Sequence, residues 1–196
     1  MITAPETQQA LLELLLREAQ AISEHVLRFA ANLSPQQLSW APPDKGWSIA
    51  QVFEHLCIVF DSYLERIEEF LDGKELPLRE DGADVPWAPR FAGGFLVRSL
   101  TSPRKVAAPR KYRVGHRVRS RVIEEFQARH RRLEAAIKRA EPLDWRACRL
   151  GSPMASVIRL NLGDAFLVAV VHAQRHLGQV ERLCAAMAAP PPLPAV

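Results

Sequence analysis

Gly46-Trp47-Ser48-Ile49-Ala50-Gln51-Val52-Phe53-Glu54-His55-Leu56 sets the reading of the whole chain. Ser48 and Gln51 have the spacing of a capping box. The serine hydroxyl accepts from an early backbone N–H, and the glutamine side chain reaches back to the serine N–H. Trp47 precedes the cap and Val52 stands at the fourth helical position, the pattern of a hydrophobic staple. Ile49, Val52, Phe53, Leu56, Val59, Phe60, Tyr63, Ile67 and Phe70 then recur at helical spacing. A helix over 48–71, stopped before Asp72-Gly73, is predicted, with a broad apolar face that must be buried against other elements.

Three more long helices follow from the same periodicity. One covers 6–31, with Leu11, Leu14, Leu15, Ile22 and Leu27 as its apolar positions. Another covers 116–140, carrying Val118, Val122, Phe126, Leu133 and Ile137, and Pro142 closes it. The last runs from about 161 to 187, where Asn161 and Asp164 form a cap pair. Ser34 and Pro35 open a short helical turn, and 41–46 breaks the chain before Trp47. Strand signals are almost absent. Four helices of about 25 residues, each apolar on one side, solve their burial problem as an all-α bundle.

Between the second and third of these helices lies an irregular stretch, 72–115. It holds many of the prolines and glycines, Trp87, and the patch from Phe91 to Leu96. A structureless loop of that length is uncommon in a compact domain. Short helical or extended pieces packed over one end of the core are therefore expected, with Trp87, Phe91 and Phe95 either lining a pocket wall or, the favoured reading, anchoring the insertion. The domain is expected to span 1–189, with 72–115 as its long insertion and 190–196 as a Pro-rich, disordered tail.

The chain has 196 residues, 48% hydrophobic and 24% charged, which suits one globular domain and excludes wholesale disorder. Its net charge of +4 is unevenly placed. Residues 98–121 contain nine Lys or Arg and no Asp or Glu, so the remainder carries −5. Cys57, Cys148 and Cys184 are too few and scattered for a disulfide framework or a CxxC centre. No secretory signal or apolar run of membrane-spanning length is legible, so a cytoplasmic protein is expected.

The chemistry concentrates in Val171-His172-Ala173-Gln174-Arg175-His176-Leu177-Gly178-Gln179. Four residues along a helix place His172 and His176 on one face, one turn apart. That pair can give two nitrogen ligands to one transition metal, or it can be two hydrogen-bonded histidines of the bundle with no ligand at all. His55, at the margin of the apolar stripe of its helix, is a candidate third ligand if the bundle turns it toward the pair. Three histidines with no fourth protein ligand leave room for water or substrate. Gln51 and Gln179, each about a turn from a candidate ligand, could orient an imidazole or a bound water. Arg175 could meet an anionic substrate. His25, His116 and His130 read as surface or helix-end residues.

Three segments together carry a resemblance: Leu33-Ser34-Pro35-Gln36-Gln37-Leu38, the capped stretch from Gly46 to Leu56, and His172-Ala173-Gln174-Arg175-His176-Leu177-Gly178-Gln179. The chain resembles the DinB-like (DinB/YfiT) superfamily over about 6–71 and 116–187. The resemblance implies an up-down-down-up four-helix bundle with a three-histidine site for a divalent metal, zinc or nickel, which maps to His55, His172 and His176. It implies a thiol-dependent transferase or related enzyme, using a low-molecular-weight thiol, and a homodimer. The long insertion and its basic run depart from the family pattern in a region that could remodel the mouth of the site. A metal held by three neutral imidazoles can activate a water or a thiol, giving a hydrolase or a transferase. Two other classes stand beside these. One is a non-catalytic metal-binding or vestigial helical scaffold. The other binds nucleic acid or another polyanion through 98–121, a reading disfavoured by the −5 charge of the surrounding chain.

Overall fold

A computed structural model describes residues 5–30, 32–43, 46–80, 84–102, 108–115, 117–154 and 157–188. The predicted Pro-rich tail, His116, Arg104 and Lys105 lie outside the described residues. Four long helices form the core: α1 (Gln8–Ala30), α3 (Ile49–Leu71), α5 (Val122–Arg139) and α6 (Leu162–Ala188). Two shorter ones are α2 (Pro35–Ser39) and α4 (Phe91–Thr101), and Arg110–Tyr112 makes one 3-10 turn. The protein has an all-helical fold built on a helical bundle, with additional helical pieces between α3 and α5.

The predicted capping box forms, and the predicted cap at Ser34 proves to be a second one. Ser48 Oγ accepts from Gln51 N–H at 3.2 Å while Gln51 Oε1 accepts from Ser48 N–H at 3.0 Å. Ser34 and Gln37 make the same reciprocal pair at the start of α2. Such a cap satisfies N–H groups that the first helical turn leaves without partners. In α1, Val26 is fully buried and Leu27 is exposed, so the apolar face lies one residue away from the position expected for Leu27.

α5 starts at Val122, six residues later than the periodicity suggests. Val118 continues the apolar spacing, but the chain before Val122 is held out of the helix by Glu54. That carboxylate accepts both the backbone N–H of Arg119 at 3.0 Å and its guanidinium at 2.7 Å. The predicted connector between the last two helices also contains a small antiparallel pair, β1 (Arg149–Gly151) and β2 (Arg159–Asn161), that the sequence pattern did not announce.

The packing follows a ring in which α5 and α6 each lie against both α1 and α3. α3 and α5 run in the same direction, since Asp61–Arg129, Glu68–Arg132 and Asp72–Arg139 succeed one another along both. α1 and α6 are likewise parallel, with Glu18 meeting Gln174 and His25 meeting Glu181. α1 runs against α5, because Ser23 meets His130 while Gln8, a helix length earlier, meets Leu143 beyond the end of α5. Fully buried Phe53, Phe60, Phe126, Phe166 and Trp145 fill the interior.

The insertion splits into two parts. Residues 77–80 and 84–87 lie at one end of the bundle, the first bonded to Pro142 and Asp144 and the second to Glu6 and Gln8. Trp87 is buried there, as expected of an anchor, but Phe91 and Phe95 are 94% and 63% exposed and anchor nothing among the described residues. α4 then runs along α6.

Asp164 fixes that second part. Its buried carboxylate accepts the N–H of Asn161 at 3.2 Å and the N–H of Arg90 at 3.2 Å. These residues precede α6 and α4, so one carboxylate serves two helix N-termini. The Asn161 side chain returns the bond by accepting Asp164 N–H at 2.7 Å. Burial pushes the carboxyl up to about 6, against 3.8 for an ordinary aspartate, with the Asn161 and Arg90 bonds opposing the rise. Between about pH 4 and 6 the folded protein holds a proton here that the unfolded chain has released. This stabilising contribution, present in full below about pH 4, is therefore lost as pH rises through about 6, and amounts to about 3 kcal/mol. The thermal midpoint of the wild type should fall over this range more steeply than that of Asp164→Asn. Equal slopes would contradict the assignment.

Candidate metal centre

His55 lies in the second turn of α3 and His172 and His176 in the middle of α6, where the two helices pack together. The bundle turns His55 toward the α6 pair, a relation that helical phase alone left open. Candidate ligand atoms of the three imidazoles all lie within 4.8 Å of one another. His55 Nε2 and His172 Nε2 face each other at 3.1 Å. Two imidazole nitrogens on a tetrahedral zinc, at ~2.05 Å from the ion, stand about 3.3 Å apart. Among the described residues no Cys, Asp or Glu completes this group.

Two hydrogen bonds orient the imidazoles. His55 Nδ1 lies 2.8 Å from the Tyr112 carbonyl, which can only accept, so Nδ1 carries the proton and Nε2 is left with its lone pair. His176 Nδ1 lies 2.9 Å from Gln179 Oε1, which fixes the same tautomer there. An outer partner that holds one ring nitrogen and bares the other is the usual support of a metal-ligating histidine. Gln179 makes a contact to His176 that the one-turn spacing allows. Tyr112 is the partner that sequence reading missed, because a backbone carbonyl in an irregular segment leaves no residue-type signal.

The electrostatics keep the imidazoles neutral. Burial lowers the proton affinity of His55, against a smaller opposing effect of the Tyr112 carbonyl. Burial, then the neighbouring His176, His55 and Arg175, holds His172 well below the usual histidine range. His176 is pushed down to about 4, by burial first and by His55 next. Neutral imidazole is the form that binds a metal, so no proton has to be displaced near neutral pH. Donor type, tautomer and spacing all fit a divalent transition metal.

Other residues take different places. Gln51 spends its amide on the Ser48 cap and on the Gly115 carbonyl, at 3.1 Å, so it acts on the insertion and not on His55. Arg175 donates to the carbonyls of Leu100 at 2.7 Å and Ser102 at 2.5 Å, tying the C-terminal end of α4 to the helix that carries His172 and His176. Trp47, beyond its place before the cap, walls the site, with ring centroids 4.9 Å from His55 and 6.4 Å from His176. His130 corrects the surface reading. It is 1% exposed in the middle of α5, with Nδ1 3.1 Å from Ser23 Oγ and 3.3 Å from Glu134. His25 is partly exposed and pairs with Glu181 at 3.3 Å. Cys57 is buried on the far side of α3, its thiol directed at the Val122 carbonyl.

Part of the basic segment is neutralised within the chain. Arg119 pairs with Glu54 and Asp61, and Arg121 with Glu124. No helix is long and apolar enough to cross a membrane among the described residues.

No curated protein and no solved structure matches this chain. Residues 16–180 do match a protein family, and that span takes in α3 and α5 whole, most of α1 and α6, and all three converging histidines. The chain belongs to the DinB superfamily.

Proposed function

We propose that this protein is a divalent-metal-dependent enzyme in which His55, His172 and His176 hold one ion, zinc or nickel, for chemistry on a small electrophilic substrate. The observation that carries this reading is the convergence of the three imidazoles with the Nδ1 atoms of His55 and His176 already engaged by Tyr112 and Gln179. A divalent ion bound there would supply Lewis acidity, lowering the pKa of a water or thiol so that it reacts as hydroxide or thiolate. The residues around it have separate tasks. Tyr112 and Gln179 hold two rings in register, and Trp47 shields one side of the site from water. Arg175 keeps the end of α4 beside α6. Thiol transfer, with a low-molecular-weight thiol as co-substrate, is the first reaction to test, and hydrolysis the second.

The same reading takes α1, α3, α5 and α6 as an up-down-down-up bundle within one domain. It is supported by the ladder of paired residues between α3 and α5 and by the Ser23–His130 contact between α1 and α5. It also takes the protein as cytoplasmic and as a homodimer, the second as the family resemblance implies. The deciding experiment is metal analysis of protein purified without a histidine tag, followed by two assays on the metal-loaded form. One mole of zinc or nickel per chain, with metal-dependent consumption of a thiol by an added electrophile, supports transfer. Metal-dependent cleavage of an ester or amide panel without thiol supports hydrolysis. Failure to take up either ion after reconstitution sinks the proposal.

A further inference from the structure

α4 is apolar on two sides. Its inner side, Leu96, Val97 and Leu100, packs against the core, and Gly93 faces Asp164. A surface helix is ordinarily polar on the side turned away from the core. Here that side carries Phe91 and Phe95, one turn apart and 94% and 63% exposed, with exposed Arg98 next along the same face. The neighbouring hairpin repeats the pattern. β2 packs against α4, and the turn joining β1 to β2 exposes Met154 and Val157, the second by 89%. Six large apolar side chains are exposed among the described residues, and these two elements hold four of them. Such clustering marks an interaction surface.

The charge around this surface has one sign. Between Asp84 and Glu124 the chain has ten Lys or Arg and no Asp or Glu. Arg119 and Arg121 are paired with carboxylates, but Arg98, Arg110, Lys111 and Arg113 are exposed and meet no carboxylate among the described residues. Lys111 donates to the Pro153 carbonyl, which sets the basic turn 110–113 beside Met154 in the hairpin. A second copy of the chain suits this face poorly, because a two-fold pairing would set arginines against arginines. Protruding aromatics among unpaired cations suit a flat surface that is anionic outside and apolar beneath.

We propose that this face docks on an anionic lipid surface. Phe91 and Phe95 enter the boundary between headgroups and acyl chains, while Arg98 and the 110–113 turn meet lipid phosphates. The attachment is peripheral and reversible, and it does not depend on the metal reading.

Flotation of the full chain tests this with vesicles of phosphatidylcholine alone and vesicles containing about one third phosphatidylglycerol, at low and at raised salt. The expected result is binding to the anionic vesicles about tenfold or more tighter than to the neutral ones, weakened by salt. Phe91→Gln combined with Phe95→Gln should weaken it about tenfold or more, and so should Arg98→Glu combined with Arg110→Glu. All four residues are exposed, so both variants should keep the wild-type helical signal. A folded wild type that binds neither vesicle overturns the proposal, as does equal binding to both. Anionic binding that the double phenylalanine variant leaves unchanged also overturns it, since charge alone would then explain the attachment. Absence of vesicle binding together with a dimer that the phenylalanine variant dissociates would assign this face to a second copy instead.

Discussion

Replacing His55 by alanine is expected to strip the protein of stoichiometric metal while its helices remain formed. Three imidazoles are the whole protein ligand set visible among the described residues, so loss of one leaves two donors from a single helix. The loss should exceed the tenfold to hundredfold that removal of an outer partner costs, which is the range expected for Gln179→Ala. His55 is 3% exposed, and its removal strands the Tyr112 carbonyl that accepts its Nδ1–H. A stability cost of about 1–3 kcal/mol should therefore accompany the metal loss. His176→Ala separates the two effects, since that ring is only partly buried and so is its partner Gln179. It should lose metal with a smaller drop in stability. Metal content by elemental analysis and unfolding of the metal-free proteins in urea check both statements. A His55→Ala protein that keeps one ion per chain would remove His55 from the site.

The second large effect concerns two neighbouring glycines that should respond in opposite ways. A Cβ on Gly93 would lie 2.2 Å from Asp164 Cγ and Oδ1, and 2.7 Å from Oδ2. The carboxylate cannot retreat without abandoning the N–H groups of Arg90 and Asn161. Gly93→Ala must therefore push α4 off α6 or break both caps, at a cost of about 3 kcal/mol or more. A Cβ on Gly94 meets only Pro89, at 3.8 Å, an ordinary contact. Gly94→Ala should gain up to about 1 kcal/mol from the better helix propensity of alanine. Urea unfolding of the two variants beside the wild type decides this. Equal effects would mean that α4 does not rest on Asp164 in solution.

What the sequence made legible was local. The Ser48–Gln51 box, the Ser34 cap and the Asn161–Asp164 pair act within four residues, and each formed as read. The spacing of His172 and His176 was legible for the same reason. What failed depended on contacts between distant residues. Val118 and Val122 keep helical spacing, yet Glu54 holds Arg119 by two bonds across a separation of 65 residues and delays α5. His130 sits among arginines at 129, 131 and 132, the company of a surface residue. Its helical phase with Phe126, Leu133 and Ile137 carries the truer signal. The azimuth of His55 was not legible at all, because the packing of α3 against α6 sets it.

The shared direction of α3 and α5 gives the chain between them a mechanical necessity. A 23-residue helix is about 35 Å long, so a chain leaving the far end of α3 must travel that distance back before α5 can begin. About ten fully extended residues would span it, with none to spare for turns. Asp72 to Arg121 is therefore the return leg of a crossover, and α4 is its strut. Deleting the segment down to a tight turn would not trim an ornament; it would reverse α5 and unmake the Asp61–Arg129 ladder. Because that return path also delivers the Tyr112 carbonyl to His55, changes in loop length here alter the topology and the metal centre together.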